Sequence, residues 1–356
     1  MMLEAARLGR GAVRTGVARR ASPSAVLRRA ATLRRHGFSA TEARLFGLFD
    51  PALGDDELAR FTSRREGYAL QDRLNPESFR ALAEDKALFA RFCGWHDVPT
   101  AELLALHNRD APGWSPRGHD LTGPAEWIAF IRERLPSEFV LKPAWGHLGE
   151  GVRVVVRERD AFQEVGGGRL DAEDLLAIMD GDTRWPAWIV QERVRNHPDL
   201  RRLSASEAVQ TVRAITLVRR DGRVEVLWAD LRVVMGDAQV DNWRDGSTGN
   251  GLAPVDLGSG RIGPVVAPAP SGEGTVVHEA HPRSGVRFDD VALPGWTDAV
   301  RLLTRVAPEL APLRAVGWDV VLTEGGPLIL EVQARWGPHN QSRAMPGIMA
   351  AMAAEL

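Results

Sequence analysis

The sequence predicts an α+β fold, and two observations predict it. Up to about residue 98, apolar residues recur at helical spacing between recognisable helix caps. From residue 139 onward, short β-branched runs alternate with turns. A chain of 356 residues is long enough for two or three cores, and no internal repeat is visible. Hydrophobic residues at 44% and charged residues at 26% are ordinary for a water-soluble globular protein. The net charge of -2 excludes a polyelectrolyte binder, so no nucleic-acid partner is expected. No apolar run approaches the roughly 20 residues of a membrane span. A single cysteine, Cys93, excludes an internal disulfide framework and fits a reducing, cytoplasmic setting as a small buried residue.

Residues 1–36 carry nine arginines, Arg19 and Arg20 among them, against one acid, Glu4. A transit segment or a basic arm for an acidic partner is one reading. The favoured one is a pair of helices with a solvated arginine face, turning Leu8, Val13, Val17, Val26, Leu27 and Leu33 to the core. Pro23 after Ser22 starts the second helix. Ser39 followed by Glu42 has capping-box spacing. The run RLNPESFRALAEDKALFARFCGWHDVPTAELLAL predicts a helix capped by Asn75, with Pro76 in its first turn and a boundary at Pro99. Residues 251–274, rich in Gly and Pro, predict an irregular segment or hairpin.

Lysine occurs only twice, at Lys86 and Lys142; every other basic residue is arginine. Lys142 ends the strand in VLKPAWGHLGEGVRVVV, whose Gly146, Gly149 and Gly151 resemble a phosphate loop. The spacing fits neither G-x-G-x-x-G nor G-x-x-x-x-G-K-S/T, and a strand rather than a helix follows. The pattern is strand, glycine loop, strand. It reads either as a plain hairpin or as a mobile flap whose backbone N–H groups meet phosphate oxygens.

Asp319 in GWDVVLTEGG and Glu331 in LILEVQ lie in two apolar strands joined by Glu324-Gly325-Gly326-Pro327. Strand pairing brings both carboxylates together. Acids inside apolar strands are costly without a partner, and hard oxygen ligands beside a phosphate flap suggest Mg²⁺.

The order of these motifs resembles the ATP-grasp superfamily, and most of all its sugar-transfer-associated branch. The resemblance runs from about His36 to Asn340 through EDKALF, VLKPAWGHLGEGV, VQERVRNHPDL, TVRAITL, VDNWRDGSTGNGLAP, HPRSG and GWDVVLTEGGPLILEVQ. It implies two α+β lobes clasping ATP after an N-terminal helical segment. The expected division is 1–74 for the helical region, 75–195 for the first lobe with the glycine flap, and 196–356 for the second lobe with the metal site.

Residue by residue, the resemblance implies that Lys86 and Lys142 reach the nucleotide phosphates, where a compact ammonium fits better than a planar guanidinium. Gln191, Glu192, Arg193 and Val194 match the adenine hinge, Asp199 the ribose acid and Leu330 the adenine floor. Asp319 and Glu331 match the metal carboxylates. Gln333 stands where relatives carry asparagine, as does Gln210. Arg213 and Arg335 match arginines that steady transferred phosphate. The implied cofactors are ATP and two Mg²⁺ ions.

The acceptor side rests on residue type alone. Asp241, Asn242 and Arg244 lie in a polar, glycine-rich loop, with His281 in HPRSG as a second candidate and Trp243 and Trp336 nearby. The function expected from the resemblance is an ATP-dependent ligase that activates a carboxylate as an acyl phosphate for attack by an amine. A small-molecule kinase that stops at phosphorylation is the alternative. A noncatalytic scaffold is disfavoured by the presence of both carboxylates. Partners are expected to be small molecules.

Overall fold

The computed structural model describes residues 2–18, 22–50, 52–146, 149–159, 161–337 and 345–356. Arg19 and Arg20, His147 and Leu148 of the glycine loop, the side chain of Val17, and Asn340 lie outside the described residues.

The N-terminal region is helical: α1 (Met2–Ala18), α2 (Pro23–Arg35), α3 (Ala40–Leu45), α4 (Asp55–Leu58) and α5 (Arg64–Leu74). Ser22 caps α2 ahead of Pro23, and Ser39 with Glu42 forms the capping box of α3. Leu8 and Leu33 join Leu48, Phe49 and Leu58 in a small core. Val13 and Leu27 depart from expectation, being 52% and 71% exposed, because the buried face of each helix is narrower than its apolar content.

Asn75 also departs from expectation. It closes α5 in extended conformation instead of opening the next helix. Its amide nitrogen donates to the carbonyls of Ala315 and Ala334, and its oxygen accepts from the N–H groups of Arg314 and Ala315. A side chain engaged on both ends is not available as a cap. After a short helix, α6 (Ala81–Glu84), the cap of α7 (Lys86–Trp95) is Asp85, whose carboxylate accepts from Ala87 and Leu88 N–H.

The first sheet is wholly antiparallel. Its strands are β1 (Leu103–Asn108), β2 (Ala111–Trp114), β3 (Glu138–Pro143), β4 (Arg153–Glu158), β5 (Ala161–Glu164), β6 (Arg169–Leu170) and β7 (Ala187–Glu192), in the order β2-β1-β7-β3-β4-β5-β6. Strands thus begin before residue 139. Helices α8 (Pro124–Glu133) and α9 (Ala172–Gly181) cover one face, packing Trp127, Ile131, Leu175 and Met179 onto Phe139, Val155 and Trp188.

After α10 (Pro198–Ser204) comes a second antiparallel sheet. Its strands are β8 (Val212–Val218), β9 (Val224–Val233), β10 (Gly251–Pro254), β11 (Val265–Pro268), β12 (Thr275–His278), β13 (Ala315–Thr323) and β14 (Gly326–Gln333), in the order β12-β11-β10-β9-β8-β13-β14. The Gly/Pro-rich segment is the hairpin β10–β11, with Leu252 opposite Val266. Helices α11 (Trp296–Val306) and α12 (Met345–Ala353) complete the chain. Phe89, Phe92 and Cys93 of α7 share the core of this second sheet with Leu200, Trp318 and Ile329. Helix α7, expected in the first lobe, packs on the second sheet through these residues, while Ala87 at its start packs with Leu103 and Ile189 of the first.

Candidate active site

A cavity of about 370 Å³ is lined by both sheets. From the first come Val140 and Lys142 of β3, Gln191 and Glu192 of β7, Arg193 and Val194 just after it, and Gly146 and Gly149 of the glycine loop. From the second come Arg232, Asp319, Leu330, Glu331 and Gln333. Lys86, the first residue of α7, and Asp241 and Asn242 of the polar loop complete this set. In the β13–β14 ladder Asp319 pairs directly with Glu331, with a bulge just beyond, so the two side chains share one face. Gln333 follows Glu331 by two residues and returns to that face.

Charge in the cavity is arranged in two groups. Lys142 is 4% exposed, and its Nζ lies 3.7 Å from Glu331 Oε1. Lys86 Nζ stands 3.8 Å from the same oxygen and donates to the Gly146 carbonyl at 2.8 Å. Burial pushes the Lys142 ammonium down to about 8, against the pull of Glu331. Asp319 forms the second group. Arg213 Nε donates to its Oδ1 at 2.6 Å and Arg232 to its Oδ2 at 3.1 Å. Burial alone would raise this carboxyl, but the two guanidiniums outweigh burial and hold it at about 2. Asp241 is also buried, and burial raises it above its ordinary range although its Oδ2 accepts from Thr211 N–H and Oγ1 at 2.6 Å.

Six expected site residues lie off this cavity. Arg213 and Arg335 line a second cavity of about 380 Å³, which shares Lys86, Gly146, Arg232, Asn242, Glu331 and Gln333 with the first. Gly151 has φ of 72° and a Cβ there would come within 2.9 Å of Pro143 and Trp185, so its role is to let the loop close on β3. Asp199, in the first turn of α10, is half exposed and pairs with Arg202 at 3.1 Å. Arg244 lies in the turn that follows Trp243, with φ of 42°. His281 donates from Nε2 to the Val234 carbonyl and accepts at Nδ1 from the N–H groups of Arg283 and Ser284, which orders its loop. Gln210 acts as a buried bracket, bonding Leu200, Ser204, Val234 and Asn196. Trp336 is likewise a packing residue, bonded through its backbone to Gln71.

Sequence reading missed Arg232, and with it Arg64 and Tyr68 of α5, which line the second cavity. Arg232 carried a usable signal. It sits in the apolar run WADLRVV, where the cost that singled out Asp319 applies equally to a guanidinium.

The donor set fits Mg²⁺. Asp319, Glu331 and Gln333 offer only hard oxygens, and each Asp319 oxygen, accepting one guanidinium bond, keeps a further acceptor site. Among the described residues no three His, Cys, Asp or Glu side chains cluster as metal ligands. A two-carboxylate site suits an ion that takes its other ligands from phosphates and water.

Two antiparallel α+β units around a cavity with paired lysines on one wall and paired carboxylates on the other define an ATP-grasp protein. The chain belongs to the sugar-transfer associated ATP-grasp family, whose profile matches residues 65–349. No curated protein matches the sequence. Solved structures similar to it include an N5-carboxyaminoimidazole ribonucleotide synthetase bound to ADP, at 11% identity and a TM-score of 0.41, covering 73% of this chain and 46% of that one. Biotin carboxylase from Campylobacter jejuni is similar at 12% identity and a TM-score of 0.44, covering 77% and 46%. D-alanine-D-alanine ligase from Helicobacter pylori is similar at 10% and 0.40, covering 77% and 59%. The chain thus spans about half the length of these proteins. Among the described residues no helix is long and apolar enough to cross a membrane.

Proposed function

We propose that the chain is an ADP-forming ligase that activates a carboxylate with ATP and passes the acyl group to an amine. The observation that carries this reading is the cavity where Lys86 and Lys142 face Glu331 across 3.8 and 3.7 Å, with Asp319 beside it. In this reading the adenine lies between Leu330 and the backbone of Glu192 to Val194. The phosphates run toward the two lysines and the N–H groups of the glycine loop. Asp319, Glu331 and Gln333 would hold Mg²⁺, which when bound supplies positive charge to the phosphate oxygens.

The chemistry needs positioning and charge more than a covalent residue. A carboxylate oxygen attacks the γ-phosphorus and ADP departs with the bridging oxygen. The amine then adds to the acyl carbon and loses a proton, and the acyl C–O bond breaks as inorganic phosphate leaves with that oxygen and the electron pair. Arg213, Arg232 and the lysines stabilise the charge that moves in these steps.

The test is ADP release from the full chain with ATP and Mg²⁺, screened over carboxylic acids crossed with amines, with mass spectrometry of the products. An amide formed with one ADP per bond supports the ligase. A stable phosphorylated product formed without any amine replaces it with a kinase.

A further inference from the structure

Resting on the ligase reading, we propose that the second cavity binds the carboxylate substrate, that helix α5 of the N-terminal region is its selecting wall, and that it takes monocarboxylates with a neutral polar substituent. This cavity shares Lys86, Glu331 and Gln333 with the nucleotide cavity, so a molecule in it meets the phosphate end of a bound nucleotide.

Its charges are unequally engaged. Arg213 is 3% exposed and uses only Nε, on Asp319, while both of its terminal nitrogens are buried without a partner among the described residues. Buried unpaired guanidinium N–H groups are expensive, and a planar fork matches a carboxylate. The cations of the outer wall differ. Arg64 is ion-paired with Asp245 of the polar loop, and Arg335 donates twice to Asp72 of α5, both at 2.6 Å. One anionic group is therefore matched, at the Arg213 end, and among the described residues the outer wall offers no unpaired cation to a second.

Between those outer pairs stands Tyr68, the only tyrosine in the chain. The Arg335 guanidinium lies 5.7 Å from its ring centre, and among the described residues no hydrogen bond engages its hydroxyl. Asn242 adds a neutral polar group to the same lining. These groups recognise a hydroxyl or amide rather than a charge. The wall is rigid, because Gln71, one turn beyond Tyr68, exchanges two buried hydrogen bonds with the backbone of Trp336 at 2.9 and 2.8 Å.

The full chain with ATP, Mg²⁺ and hydroxylamine tests this, since hydroxylamine traps any acyl phosphate as a hydroxamate. The panel pairs hydroxy-monocarboxylates with hydroxy-dicarboxylates. Hydroxamate should form from the monocarboxylates. Tyr68→Phe should raise the KM for the best acid roughly fivefold with little change in kcat, and Tyr68→Ala should raise it further. Unchanged acid KM in both variants while hydroxamate still forms overturns the pocket and leaves the ligase standing, as does a preference for dicarboxylates. No hydroxamate with any acid overturns the ligase reading and the pocket with it.

Discussion

Asp319 and Glu331 stand opposite each other across the β13–β14 ladder, yet each answers to a different pair of cations. Asp319 takes the two arginines of the second sheet, Arg213 and Arg232, and Glu331 faces the two lysines, Lys86 and Lys142. One ladder position thus joins an acid whose pKa two arginines hold low to an acid that faces the shared cavity through two ammonium groups. The division explains why lysine persists at two positions in an arginine-rich chain. In the ligase reading, a point charge can turn from Glu331 to a phosphate oxygen without the alignment a planar fork needs.

Glu331→Gln removes the anion that two ammonium groups face. Without nucleotide, buried Lys142 loses its counter-charge, and the variant should unfold about 2 kcal/mol more easily in urea. ADP formation should be lost even in excess Mg²⁺. A variant with full turnover and unchanged urea midpoint would show that Glu331 has neither role.

Lys142→Arg should harm turnover nearly as much as Lys142→Ala. Lys142 is only 4% exposed, and a planar guanidinium fork demands an alignment that a point-charge ammonium does not. A fall of roughly thirtyfold or more, equivalent to about 2 kcal/mol, is expected in kcat/KM. Activity of the arginine variant within about threefold of the parent would contradict a requirement for a compact cation.

Lys86 and Lys142 were legible because they broke a compositional rule, and Asp319 and Glu331 because acids in apolar strands demand a partner. Caps were legible too, at Ser22 and Ser39, since capping is a local contract between neighbours in sequence. What failed was non-local. The run LLALHN is built of good helix formers, yet pairing with β7 makes it a strand. Asn75 reads as a cap, but its amide is claimed by residues some 240 positions away. Arg232 was hidden among many arginines. Arg213 was matched to the right neighbourhood, but only the fold shows that it lines the second cavity.

The glycines of the loop should separate function from stability. Among the described residues a Cβ at Gly149, where φ is 68°, meets only Val240 at 3.5 Å, whereas one at Gly151 collides with Pro143 and Trp185. Gly151→Ala should therefore cost about 2 kcal/mol or more of stability. Gly149→Ala should cost only the backbone strain of about 1 kcal/mol and act mainly on nucleotide affinity. Equal melting temperatures for the two variants would remove the distinction.

Cys93 sets a test at alkaline pH. It is fully buried, and burial pushes its thiol from 9.0 up to about 12, opposed only by a hydrogen bond with Thr100. Above pH 9 the unfolded thiol loses its proton while the folded one retains it, so the native state binds more protons and stability falls as pH rises. The slope contributed approaches about 1.4 kcal/mol per pH unit. Urea midpoints at about pH 8 and about pH 10.5 should drop less in Cys93→Ala than in the parent, after allowing for the variant's own cavity. A native thiol that reacts readily with a disulfide reagent near pH 8 would contradict both the burial and the raised pKa.

Asn75 provides the last test, because it decides whether helix α5 is an appendage or part of the second sheet's framework. The residue is fully buried and joins three backbone segments, namely the end of α5, the start of β13 and the turn after β14. Asn75→Ala strands the N–H groups of Arg314 and Ala315 and leaves the Ala334 carbonyl without the 2.7 Å bond it accepts from this amide. Losses of this kind sum to about 3 kcal/mol. Asn75→Asp keeps the acceptor but loses the donor and buries a charge, so it should be no better. If α5 is framework, both variants lower the melting temperature of the whole chain in one transition and weaken catalysis through displaced Arg64 and Tyr68. If it is an appendage, the helical region melts separately and ADP formation by the remaining transition persists. A single cooperative loss is the outcome expected from a helix whose C-terminal capping residue is hydrogen-bonded to the strand that carries Asp319.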